Sequence, residues 1–119
     1  MTTSDAYLDF VRELLAERLP ADAPLAAKRM FGGVGLYAGE LFFALVADDA
    51  LYLKADAHNR PDFEAAGLAP FSYARKDGRS ASMAYYPPPA DALEDAAALQ
   101  PWVDGALAAA RRAAAGKAK

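Results

Sequence analysis

Apolar and polar positions along the chain change period several times, and each change marks an element. In residues 4–19, Tyr7, Phe10, Val11, Leu14 and Leu15 fall on one face of an α-helix. Ser4 suits the N-cap, Asp5 the positive end of the helix dipole, and Pro20 closes the helix. Ala21–Leu25, which contains Pro24, reads as a loop.

Short strand-like runs follow, separated by turn residues. Ala27–Phe31 is one candidate, punctuated by Gly32-Gly33, and Val34–Tyr37 is the next, ending in the turn Ala38-Gly39-Glu40. Leu41–Val46 is apolar at every position, which predicts a strand covered on both faces. Ala47-Asp48-Asp49 turns the chain. Ala50–Lys54 then alternates, with Leu51 and Leu53 on one side and Tyr52 and Lys54 on the other. Turns this short between consecutive strands imply an antiparallel meander.

Residues 57–67 read as a short helix with Gly67 at the C′ position. A hairpin comes next: Phe71–Lys76 and Arg79–Tyr85 flank Asp77-Gly78, a strong two-residue turn signal, and Pro87-Pro88-Pro89 stops the second strand as a stiff connector. Leu99, Trp102, Val103, Ala106, Leu107 and Ala110 return to helical spacing. Because a proline deep in a helix removes a hydrogen bond, a short turn is expected near Asp91–Ala98, then a longer helix with Pro101 in its first turn. Glu94-Asp95 suits a helix start, Arg111 and Arg112 complement the C-terminal dipole, and Gly116–Lys119 is expected to fray into a disordered tail. The order predicts an α+β fold: an N-terminal helix, a mainly antiparallel sheet of about five or six strands (meander plus hairpin), a short middle helix and a C-terminal helix. No repeat divides residues 1–119, so one domain is expected.

Composition narrows the chemistry. The chain has no cysteine, so disulfides, thiolate catalysis and Cys-ligated metals are excluded. Met1–Tyr7 is polar, unlike a signal peptide, and no apolar stretch approaches the roughly 20 residues that span a bilayer, so a soluble cytoplasmic protein is expected. The net charge of −3 lacks the positive excess of a free-standing DNA-binding domain. The acidic excess sits early: residues 1–27 carry two Arg against five acids, whereas from Lys28 to Tyr85 seven bases face seven acids.

Lys28-Arg29-Met30-Phe31-Gly32-Gly33-Val34-Gly35-Leu36-Tyr37 resembles the signature of the TfoX N-terminal domain family. Leu41–Leu45, Leu51–Lys54, Phe63, Ala66-Gly67, Pro70–Tyr73, Met83–Tyr86, Leu93–Asp95, Leu99 and Trp102 continue the likeness in order and spacing over most of the chain. The resemblance implies a regulatory domain. The best-known members, TfoX or Sxy proteins, regulate natural competence with the cyclic-AMP receptor protein and carry a second, C-terminal domain, which is not expected in these 119 residues. The resemblance supplies no catalytic residues to carry across.

Each candidate site has a structural alternative. Gly32, Gly33 and Gly35 lack the Lys-Ser/Thr of a P-loop and a following helix, so they are read, like Gly78, as turn glycines. Lys28 and Arg29 must face opposite ways in a strand and are candidate anion or partner contacts, against a solvated edge. A two-residue turn would set Lys76 opposite Arg79 with Arg75 beside them, a repulsive cluster that an anion or an acidic partner would relieve. Tyr73, Tyr85 and Tyr86 offer a stacking platform for nucleic acid but are read as packed rings. His58 lacks nucleophile motifs and neighbouring ligands and is read as a surface residue, and Asp48, Asp49 and Asp56 as turn formers rather than a cation site. No catalytic residue, metal or cofactor is assigned. The expected role is non-catalytic: protein contacts, with the transcription machinery as a candidate partner. Direct nucleic-acid or anion binding through a basic hairpin face is the alternative, a small enzyme is a third reading, and an open strand edge leaves a homodimer possible.

Overall fold

The computed structural model describes residues 4–30, 33–74, 80–82 and 84–117. Helix α1 runs Asp5–Ala16. The Ser4 hydroxyl caps it by accepting the Tyr7 N–H at 3.2 Å, and Val11 and Leu15 are its buried residues. The helix stops short of Pro20, because Glu17 already closes the last turn.

Strands β1 (Leu25–Met30), β2 (Gly33–Ala38), β3 (Leu41–Ala47) and β4 (Ala50–Lys54) form the expected antiparallel meander. β1 starts before Ala27, inside the stretch read as a loop, and its register sets Lys28 opposite Gly35 and Arg29 opposite Val34. The turn before β4 puts Asp48 and Asp49 at φ of 52° and 55°, the left-handed pair that suits a two-residue hairpin. A bulge between Leu36 and Tyr37 lets Leu36 face Ala44 while Tyr37 faces Phe42, which carries Phe43 into the core. Phe43–Val46 are buried in succession, as the unbroken apolar run requires, and β4 alternates as read.

Helix α2 spans Arg60–Ala65 and ends in a Schellman motif: Gly67 N–H reaches the Glu64 carbonyl and Leu68 N–H the Phe63 carbonyl, each at 3.0 Å, with Gly67 at φ 77°. The hairpin differs from expectation. Its strands are β5 (Ser72–Ala74) and β6 (Ser80–Ser82), which form a separate two-stranded ladder. Ala74 pairs with Ser80, whereas a regular two-residue turn at Asp77-Gly78 would set Ala74 against Ala81. The run continues as β7 (Tyr85–Tyr86), which leaves the hairpin and pairs with β4, completing a five-stranded sheet of order β1-β2-β3-β4-β7.

After a 3₁₀ segment (Ala90–Glu94), α3 spans Ala96–Lys117. The Asp95 carboxylate caps it, accepting the N–H groups of Ala97 and Ala98 at 3.0 and 3.4 Å. The helix therefore begins earlier than expected, and Pro101 lies in its second turn rather than its first. The i−4 residue deprived of a partner, Ala97, is exposed, so water can satisfy its carbonyl. The helix also continues through Gly116, where fraying was expected.

The helices pack on one face of the sheet. Val11 and Leu15 of α1, Phe63 of α2 and Leu99, Val103, Ala106 and Leu107 of α3 share one core with Val34, Leu36, Ala44, Val46, Leu51 and Leu53. Phe63 is its largest helical contribution, between the rings of Tyr86 at 5.0 Å and Trp102 at 4.9 Å. Burying one such side chain contributes roughly 2–3 kcal/mol. The architecture is the α+β fold anticipated, with the hairpin displaced from the main sheet.

Candidate functional site

With the helices on one side, the register decides what the sheet shows on the other. Lys28, Gly35, Leu45 and Tyr52 form one row across β1–β4, because each stands opposite the next. Tyr37 and Phe42 form a second, and Lys54 stands opposite Tyr85 on the same side. Rings run nearly continuously across this open face: Tyr37 stacks on Phe42 at 5.0 Å, Phe42 meets Tyr85 at 5.6 Å, and Tyr52 meets Phe71 edge-on at 4.8 Å. Two ammonium groups bracket the strip. Lys28 Nζ lies 4.9 Å from the centre of the Tyr37 ring, and Lys54 Nζ lies 5.1 Å from that of Tyr85. A ring's negative face attracts a cation in such positions. Lys54 also donates to the Tyr85 hydroxyl at 3.4 Å.

Tyr85 is buried and its phenol is pushed up to about 12, first by loss of water and then by the neighbouring Tyr37. It stays neutral at any physiological pH. Tyr37, Phe42, Tyr52 and Phe71 are half-buried, and Lys28 is exposed. The arrangement suits adhesion: flat rings with little rotamer entropy to lose, edged by cations.

Charge is segregated by element. The strands contain Lys28, Arg29 and Lys54 and not one carboxylate, so every acid among the described residues lies on a helix, turn or loop. A chain of net charge −3 thus carries a cationic sheet. Arg29 points to the helix side, where its guanidinium is 3.8 Å from Asp5 with side chains 75 % and 92 % exposed. An ion pair so solvated holds little energy.

The helix side contains a polar latch. Asn59 is the buried polar residue at the start of α2; its Oδ1 accepts the Asp56 N–H at 2.7 Å and its Nδ2 donates to the Lys54 carbonyl at 3.0 Å. Its side chain is thereby committed to the end of β4 and makes no cap bond to α2. Asp56 accepts both Arg112 Nε at 2.6 Å and Nη2 at 2.9 Å from α3, and the His58 N–H at 2.9 Å. The Arg112 guanidinium holds the Asp56 carboxyl down at about 2. This cluster ties β4, α2 and α3 together. Beside it Asp62, Ala65, Ala66, Pro101 and Trp102 line a shallow open groove of ≈ 470 Å³.

Lys28 and Arg29 are adjacent but on opposite faces, as alternation demands. Arg75, Lys76, Arg79, Gly32 and Gly78 lie outside the described residues. Gly33 and Gly35 are not turn glycines: both lie within β2, and a Cβ on Gly33 would sit 2.6 Å from the Val46 carbonyl oxygen, so close strand approach explains it. Positive φ occurs at Gly39 and Gly67 instead. Tyr85 and Tyr86 are packed rings on opposite faces of β7. His58 is exposed, Asp49 accepts the Ser4 N–H at 2.7 Å, and among the described residues no three His, Asp or Glu side chains gather as metal ligands. No helix among them is long and apolar enough to cross a membrane.

Asn59 before the helical Arg60-Pro61 marks a junction in the sequence but not its own burial, and Arg112 near the end of α3 reads as a partner of the helix dipole because nothing local points to Asp56. Tyr37 and Phe42 were placed in strands but not brought together, because the bulge that aligns them leaves no mark in the sequence.

No curated protein matches the chain. The family model for the TfoX N-terminal domain matches residues 13–110, from the later part of α1 to near Arg112 on α3, and so spans the whole sheet and most of the core beneath it. On that match the chain belongs to the TfoX N-terminal domain family.

Proposed function

We propose that the chain is a non-catalytic interaction domain that docks a protein partner on the open face of its sheet and acts in transcriptional regulation in the cytoplasm. The observation that carries this reading is the strip of rings from half-buried Tyr37 and Phe42 to buried Tyr85, bracketed by Lys28 and Lys54, on strands without carboxylates. Interface cores favour aromatic anchors, and complementary charge sets partner choice and encounter rate. Family membership supports the regulatory setting. A protein partner fits better than nucleic acid because the acidic α1 and the net charge of −3 repel an extended phosphate backbone.

The test compares affinity capture from a bacterial lysate on the wild-type chain and on Tyr37→Ser/Lys28→Ala, with circular dichroism to verify folding. Discrete proteins retained by the wild type and lost from the variant are expected. Equal retention on both would move the interface elsewhere. Oligonucleotide retention with a steep salt dependence, or turnover of a substrate by the purified chain, would refute the reading.

A further inference from the structure

The sheet ends in two unlike edges. On one side β7 offers only Tyr85–Tyr86. There the Tyr85 carbonyl already accepts the Phe71 N–H at 2.8 Å, and the prolines 87–89, which have no N–H, come next. On the other side β1 runs six residues, Leu25–Met30, without a proline, and among the described residues it pairs with β2 alone. Every second residue of an antiparallel edge strand turns both its N–H and its C=O outward. Ala26, Lys28 and Arg29 are exposed along this edge.

Charge decides what can occupy it. A second copy adding antiparallel would bring the two cations of one β1 opposite or diagonal to those of the other, and like charges so placed repel. Lysine and arginine on an edge are a common guard against self-pairing. The same pair selects an opposite partner. Lys28 rests on the Tyr37 ring and, among the described residues, Arg29 meets Asp5 in a solvated ion pair, so both can still take a carboxylate. Neighbouring residues of a strand point to opposite faces, so an added strand with acids at two successive positions meets Lys28 on the open face and Arg29 on the helix face.

We propose that β1 is a docking edge for an extended acidic segment of a protein partner, which adds to the sheet as a further strand. This rests on the protein-docking reading above and specifies its place and chemistry. Backbone hydrogen bonds along β1 supply affinity, and the cations on the two faces fix register and partner class.

Short random peptides displayed on phage and selected on the full chain at low salt test it. The expected winners carry Asp or Glu at neighbouring central positions among β-branched residues. A synthesised winner should shift the backbone amide NMR signals of residues 25–30 most. Its affinity should fall about tenfold on Lys28→Gln/Arg29→Gln, further on Lys28→Glu/Arg29→Glu, and with added salt. All these changes are at exposed side chains, and circular dichroism verifies folding. Winners without acidic bias, or shifts centred elsewhere such as the α2–α3 groove, overturn the edge assignment and leave protein docking standing. Failure to enrich any peptide overturns the edge assignment, and retention of a labelled oligothymidylate by the same chain would overturn both.

Discussion

Replacing Asn59 with alanine removes two hydrogen bonds. The Asp56 N–H loses its acceptor at 2.7 Å and the Lys54 carbonyl its donor at 3.0 Å, in a part-buried position under α3. An unpaired group costs about 1–3 kcal/mol when fully buried, and water reaching this rim favours the low end, about 1–1.5 kcal/mol each, so the two together cost about 2–3 kcal/mol. For 119 residues the unfolding entropy is about 250 cal/mol/K, so Tm should fall by about 8–12 °C. Asn59→Asp sharpens the test. The new carboxylate keeps an acceptor for Asp56 but sets an oxygen against the Lys54 carbonyl, and burial raises its folded pKa. A group with a raised folded pKa stabilises below its unfolded value and loses that contribution as pH rises through the folded value. Asn59→Asp should therefore be closest to wild type near pH 4, where its hydroxyl can donate to Lys54, and poorest at pH 7. Thermal and urea melts from pH 4 to 7 measure this. An Asn59→Ala loss within about 0.5 kcal/mol of zero, or an Asn59→Asp penalty independent of pH, would refute the latch.

Gly105→Ala should stabilise the chain by about 0.5–1 kcal/mol through helix propensity, because the added Cβ meets Asn59 at 3.6 and 3.7 Å, ordinary contact distances; a lower denaturation midpoint would count against the packing described. Gly33→Ala should destabilise by about 1–3 kcal/mol, since its Cβ would press on a backbone oxygen at 2.6 Å; an unchanged urea midpoint would show that β2 and β3 sit further apart. The depressed Asp56 pKa of about 2 gives stability that is complete above pH 4 and lost as pH falls towards 2, so Arg112→Gln should flatten that part of the acid melt. Lys28→Thr/Arg29→Val removes the charge guard from β1 and should self-associate in sedimentation velocity at concentrations where the wild type does not.

The meander was legible because local signals agreed: turn residues at Gly39 and at Asp48-Asp49, the unbroken apolar run of β3 and the alternation of β4 all specify neighbouring strands. β7 was not, because Tyr85-Tyr86 reads as the end of a hairpin and its pairing with β4 crosses roughly thirty residues of chain. Pro101 misled for a related reason. Propensity places proline in the first turn, but an exposed Ala97 carbonyl removes most of the penalty for the second. Gly33 and Gly35 were read for backbone freedom when what Gly33 supplies is the lack of a side chain. Of the candidate site, Lys28 and Arg29 were visible as residues that must part, and the structure sets them on the two faces of an open edge. The ring strip depends on a bulge and on strand register, both tertiary outcomes.

Site-specific photo-crosslinking in living bacteria tests the central claim most directly. A photoreactive residue is placed at position 26 or 37 on the open side of the sheet, or at position 113 on the exposed end of α3. A discrete protein adduct at 26 and 37, absent at 113, is the predicted result. Adducts confined to position 113, or none at 26 and 37 in cells where the chain is folded and expressed, would contradict it.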